Sequence, residues 1–178
     1  VGYGGLCKVT FDSFTPGSYT LVDLPEALRL AERFLRASLT AENFARVRFE
    51  DGTRLQRQIV SDLAISNCAF SECLPSVQRT YIETILGPAK RGSLLINLRR
   101  ESLAPLVLWR SLKALHPTLI TSDEKPITNP TNFMLNWGTN PSFAPQATRF
   151  PWAEHQKIHA LLGDRLYGVA YKILFRLK

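Results

Sequence analysis

Cysteine is scarce in this chain: Cys7, Cys68 and Cys73 are the three present. An odd number argues against a disulfide framework. Cys68 and Cys73 have four residues between them, with neither a second pair nor a nearby histidine, so no zinc site is indicated. Reduced thiols of a cytoplasmic protein are the expectation. Long apolar runs are lacking too. No stretch reaches the roughly 18 apolar residues that a membrane span needs. No charged segment followed by an apolar one opens the chain, as a secretory signal would. Acidic residues are in the minority: 22 Lys and Arg face 15 Asp and Glu, for a net charge of +7. That balance suits nucleic acid, an anionic ligand or a membrane surface. The basic residues are scattered, however. Their tight groups are Lys90-Arg91, Arg99-Arg100 and the last few positions. No basic run is interleaved with aromatics, so nucleic acid is not the expected partner.

The rest of the composition is that of a globular protein. The chain has 178 residues, of which 45% are hydrophobic and 21% charged, enough for one domain with its own core. Its opening, Val1 to Cys7, is a glycine-rich turn running into a helix. An apolar run from Tyr19 follows and ends in Asp23, 19 residues after Gly4. This is the layout of a nucleoside-binding βαβ unit. Glycines let backbone N–H groups approach a ligand at a helix N-terminus, and a carboxylate at the next strand's end accepts the ribose hydroxyls. A dinucleotide site has a third glycine inside the helix, and counting from Gly2 that position is Cys7. Gly2-Tyr3-Gly4-Gly5-Leu6 with Val22-Asp23-Leu24-Pro25 instead resembles the cofactor site of the Rossmann-like S-adenosylmethionine-dependent methyltransferases. The resemblance implies that the glycine turn faces the methionine half of the cofactor and that Asp23 and Leu24 hold the adenosine.

Periodicity lays out the remaining elements. A helix is predicted over 5–14 with Leu6, Val9 and Phe14 inward, a strand over 19–24, and an amphipathic helix over 25–37. A short strand over 45–49 ends in a turn at Asp51-Gly52. Asp62 to Asn67 reads as a buried parallel strand. A helix from Leu74 has Val77, Tyr81, Ile82 and Ile85 inward and stops at Gly87-Pro88, before a buried strand over 93–98. Strand–helix alternation argues for a parallel sheet with right-handed crossovers. A helix over 102–115 then precedes strands over 118–121 and 132–137. About ten residues join these last two strands, too few for a crossover helix, so they pair antiparallel. A closing antiparallel strand separates methyltransferase sheets from dinucleotide-binding ones. A sheet of this kind also needs a strand just before its glycine turn. Val1 supplies at most the last residue of one, so the first strand is expected to be largely missing and the chain to be the C-terminal part of a longer one. The expected organisation is a methyltransferase domain over 1–138, then a linker and helical tail over 139–178. The basic end of that tail has three partners open to it: the domain itself, a second copy in a homodimer, or a membrane surface.

Ligands in open α/β sheets sit beyond the carboxyl ends of strands. That rule singles out Asn67 with the following Ala69, Phe70 and Glu72, as well as Asp123 and Glu124. Ser66-Asn67-Cys68-Ala69-Phe70-Ser71-Glu72, then Lys90 to Asn97, Asp123-Glu124-Lys125-Pro126 and Asn136-Trp137-Gly138, resemble a family of sugar O-methyltransferases of bacterial polysaccharide loci. The resemblance covers roughly residues 1–138. It implies a cytoplasmic enzyme moving a methyl group from S-adenosylmethionine to a sugar or glycan hydroxyl. Cofactor contacts would come from Gly2, Tyr3, Gly4, Gly5, Asp23, Leu24, Asp51, Asn67, Ala69 and Phe70. A hydroxyl has a high pKa, so a base beside it helps its attack. Glu72 is the first candidate, and Asp123 and Glu124 follow. Glu72 as a helix cap, and Asp123 and Glu124 as a wet loop, are the alternatives. His155 and His159 share a helix face but lack a third ligand, so no metal is expected. A NAD-dependent sugar oxidoreductase and a non-catalytic scaffold are the competing readings of the whole chain.

Overall fold

The computed structural model describes residues 2–97, 103–124, 126–129 and 132–138, together with 158, 161 and 167. The chain falls into two compact units, Val1–Gln56 and Arg57–Lys178. The sequence does not mark that boundary. The linker and tail expected over 139–178, including His155 and His159, lie outside the described residues apart from Ile158, Leu161 and Tyr167.

In the first unit, helix α1 (Gly5–Ser13) leads to strand β1 (Tyr19–Asp23), helix α2 (Pro25–Ser38), the short helix α3 (Ala41–Ala45) and strand β2 (Val47–Asp51). β1 and β2 pair in parallel, with Tyr19 opposite Val47 and Asp23 opposite Asp51. Pro25 opens α2, where its missing N–H costs nothing. Leu28, Ala31 and Leu35 then recur on one face and bury against Leu21 and Val47. The charged face is laced by Arg29–Glu26 and Arg36–Glu32 pairs. Helix α1 turns a different face inward from the one its sequence suggests. Cys7 and Phe11 are buried, whereas Leu6, Val9 and Phe14 are exposed. The helix carries two apolar stripes, and the one with the Cys7–Phe11 spacing packs on α2 and β1. α3 is an addition to the expected plan. Its start is capped by the Thr40 hydroxyl, which accepts from the Asn43 N–H at 3.2 Å.

The second unit holds β3 (Ala64–Asn67), a 3₁₀ turn over Ala69–Glu72, α4 (Pro75–Tyr81) extended by a π-helical turn over Ile82–Leu86, β4 (Gly92–Ile96), α5 (Pro105–Leu115), β5 (Ile120–Asp123) and β6 (Phe133–Trp137). The sheet order is β3-β4-β6-β5. β3 and β4 are parallel, and β6 runs antiparallel to both β4 and β5. β5 therefore points the same way as β3 and β4, and all three carboxyl ends share one edge of this sheet. The core is built from Leu94, Ile96, Phe133, Leu135 and Trp137 of the sheet with Leu108 and Leu112 of α5. Each such side chain contributes about 1.5–3 kcal/mol relative to exposure. Trp137 decides two other positions. A Cβ on Gly92 would stand 2.0 Å from its ring, so only glycine fits there. His116 stacks on it at 4.5 Å, and the His116 Nε2–H donates to the Leu86 carbonyl at 2.9 Å. Among the described residues no helix is long and apolar enough to cross a membrane.

Candidate functional site

Two groups of polar residues gather at strand ends, one in each unit. In the first, Asp23 and Asp51 are neighbours across the β1–β2 ladder. Asp23 Oδ1 accepts the Leu24 N–H at 2.8 Å, and the Asp23 carbonyl accepts the Gly52 N–H at 2.9 Å. Asp51 is turned onto its own loop. Its Oδ1 accepts the Thr53 hydroxyl at 2.6 Å and the Thr53 N–H at 2.9 Å. Those two bonds, the hydroxyl first, hold its carboxyl below the usual range, and Arg54 adds to them.

The glycine turn packs on α2. Gly4 has a φ of +91°, a conformation that favours glycine, and forms the N-cap of α1 without a side-chain cap. A Cβ there would lie 3.1 Å from Leu35 and 3.4 Å from Ala31, in the third and second turns of α2. Asp23 precedes the first turn of that helix. At 1.5 Å per residue, the turn and the carboxylate are offset by roughly 10 Å along α2. Tyr3 folds back over Gly5 and meets Phe34 edge-on, with ring centroids 5.0 Å apart.

In the second unit the turn after β3 is tightly laced. The Cys68 N–H extends the ladder to the Leu95 carbonyl at 3.0 Å, but Cys68 itself has a φ of 64°. Ser66 Oγ accepts the Phe70 N–H at 3.0 Å. Ser71 is buried, and its hydroxyl lies 2.7 Å from the Cys68 carbonyl and in contact with Asn97 Oδ1. Asn97 follows the end of β4. Its N–H reaches Ser71 Oγ at 3.2 Å, and its Nδ2 donates to Glu72 Oε1 at 2.8 Å. Glu72, Asn67 and Ala69 are exposed, and Phe70 is in the core. Asn97 received no role from the sequence, although it follows a buried apolar run just as Asn67 does.

Asp123 ends β5, two strands across from β4, which at normal strand spacing is about 10 Å. It lies at the same sheet edge as Asn97 and is half-buried. Glu124 is buried, and its Oε2 accepts from the Thr128 hydroxyl at 2.7 Å, the Thr128 N–H at 3.0 Å and Asn132 Nδ2 at 3.1 Å. The Thr128 hydroxyl leads the causes that hold this carboxyl below its usual range. Its contacts are those of a loop staple. Among the described residues no group of three or more His, Cys, Asp and Glu is placed to hold a metal.

No protein-family model matches the chain, and no curated protein matches it. Solved structures do. The methyltransferase domain of bacterial CtHen1-CN superposes with a TM-score of 0.54 at 13% identity, covering 76% of this chain and 85% of that one. The fold is that of a methyltransferase domain. Mitomycin 7-O-methyltransferase MmcR and LepI, the latter in complex with SAH and a substrate analogue, superpose over 76% of this chain with TM-scores of 0.47. Their identities are 15% and 14%, and the matched regions span 45% and 40% of their lengths.

Proposed function

We propose that this methyltransferase-fold chain is an S-adenosylmethionine-dependent O-methyltransferase whose acceptor is a sugar or glycan hydroxyl. The observation that carries the reading is Asp23 at the carboxyl end of β1, in a chain with the fold of a methyltransferase domain. Asp23 accepts from the two ribose hydroxyls while its Oδ1 keeps the Leu24 N–H. Leu24, exposed beside it, offers an apolar surface to the adenine. The Asp51 turn lies across the ladder and lines the same strand-end region. The cofactor supplies a methyl carbon already activated by a sulfonium, so the protein's tasks are alignment and proton removal. Glu72 takes the acceptor's proton as the hydroxyl oxygen attacks. It has the exposure that this requires. Glu124 holds its own loop in place, and Asp123 at the shared edge contacts the sugar.

Titration calorimetry with S-adenosylhomocysteine and with NADH tests the reading. We expect binding of the former alone. Binding of NADH alone, or of neither, overturns it. With turnover followed on a panel of sugars, Glu72→Gln leaves S-adenosylhomocysteine affinity near normal and cuts the rate at least tenfold, the lower end of the range for general base catalysis being about a hundredfold.

A further inference from the structure

Glu72 is exposed, and an exposed glutamate ordinarily samples several rotamers. Here one of its oxygens is held by a residue 25 positions away in sequence, just past the end of the neighbouring strand. We infer that Asn97 is a positioning residue for the Glu72 carboxylate, itself anchored on the buried Ser71 hydroxyl. The inference rests on the reading of Glu72 as the base.

The chemistry of the three groups sets the orientation. A carboxylate only accepts, so the face of the amide turned to Glu72 must be its NH₂. That leaves Oδ1 toward Ser71, whose one hydroxyl proton is shared between Oδ1 and the Cys68 carbonyl, and the Ser71 oxygen in turn receives the Asn97 N–H at 3.2 Å. The Asn97 side chain is thus closed onto its own backbone through one buried hydroxyl. The Cys68 carbonyl, 2.7 Å from the same hydroxyl, completes the cage. A flipped amide would set Oδ1 against the carboxylate oxygen, two acceptors with no proton between them. The ionised Glu72 is therefore what selects the orientation with NH₂ toward it.

The clasp between Ser71 and Asn97 joins the turn after β3 to the end of β4, and a purely structural account stops there. The bond from Nδ2 to Glu72 adds nothing that such a clasp needs. It constrains an exposed acid at the sheet edge where acceptors bind in this class of fold. A donor on the ionised form favours that form, so the bond both aims the carboxylate and keeps it ready to receive a proton.

The test uses the whole chain with its glutamate carboxyl carbons labelled for NMR titration, the Glu72 resonance being assigned by its loss in Glu72→Gln. Asn97→Ala and Asn97→Leu remove the donor, the second with little loss of volume. In both we expect the Glu72 midpoint to rise, by on the order of half a pH unit. Ser66→Ala loosens the same turn at its Phe70 N–H without touching Glu72, and should leave the midpoint in place. The inference is overturned if both Asn97 variants titrate like the parent, or if Ser66→Ala moves the midpoint as far. With methyl transfer as the readout, the acidic limb of the pH–rate profile follows the NMR midpoint in Asn97→Ala, and kcat falls severalfold at unchanged cofactor KM. A midpoint that moves while Glu72→Gln keeps full turnover would remove Glu72 as the base and leave the positioning contact intact, so the two failures are told apart.

Discussion

Cys68 holds a φ of 64° and a ψ of −34° at the carboxyl end of β3. Few residues other than glycine adopt positive φ, and positions of this kind cost about 1–3 kcal/mol. The surroundings enforce it: the Cys68 N–H is tied to Leu95, and its carbonyl faces Ser71. The strain lies within four residues of Glu72, so the turn that aims the proposed base is the one under tension. Substitution separates the strain from the side chain. Cys68→Gly should leave stability within about 1 kcal/mol of the parent, since relief of strain offsets the added freedom of the unfolded chain. Cys68→Val should lose about 1–3 kcal/mol, because a β-branched residue fits positive φ worst. Urea midpoints of the two variants check this, and equal midpoints would show that the conformation relaxes freely. The other notable thiol, Cys7, is an opposite case. It is 1% exposed and burial pushes it up to about 11, which makes it inert as a nucleophile.

Among the elements, α4 depends on a residue that hydrophobic patterning passes over. Gln78 is fully buried. Its Nε2 donates to the Phe70 carbonyl at 3.0 Å, and its Oε1 accepts the Leu103 N–H at 2.7 Å. Gln78→Leu keeps the volume but leaves the Leu103 N–H without its partner, while the Phe70 carbonyl keeps the Cys73 N–H at 3.2 Å. The loss is about 1–3 kcal/mol, measurable by chemical denaturation. A loss under about 1 kcal/mol would mean that water replaces the amide. Gln78 also shows why part of the plan was hidden in the sequence. β1, β3 and β4 are legible because each is a short apolar run closed by a polar residue, and α2 because its apolar residues recur every three or four positions. α3 has five residues, too few to show a period, and only Thr40 marked its start. α1 offered two stripes, and the choice between them was made by α2. Asp23 and Glu72 are found from their place after strands. Asn97 has the same signature, but its meaning depends on β3 lying beside β4, a contact that no local pattern announces.

At the scale of the whole molecule, each unit has its own apolar core, and pH acts on the two through different groups. Cys7 belongs to the first core. Its folded value near 11 lies above the ordinary 9.0, so the folded state resists losing that proton. Its contribution is complete below pH 9.0 and is lost as pH rises toward 11. The sign is reversed for Glu124 in the second unit. Its folded value lies below the ordinary 4.5, so its contribution is present above that pH and fades as acid protonates it. Urea titrations of the parent from pH 8 to about 11 should show a declining midpoint that Cys7→Ala flattens, and an unchanged slope would assign the decline to other groups. The placement of β6 has a further consequence, for synthesis. The strand between β4 and β5 is the last of the three to leave the ribosome, since Phe133–Trp137 follows both in the chain. Until Trp137 emerges, the β4 edge that will receive it stays open and the apolar side chains of Leu94 and Ile96 lack their cover. A nascent chain stalled before that point presents a sticky ribbon edge, the form in which chaperones or a second nascent chain would meet it.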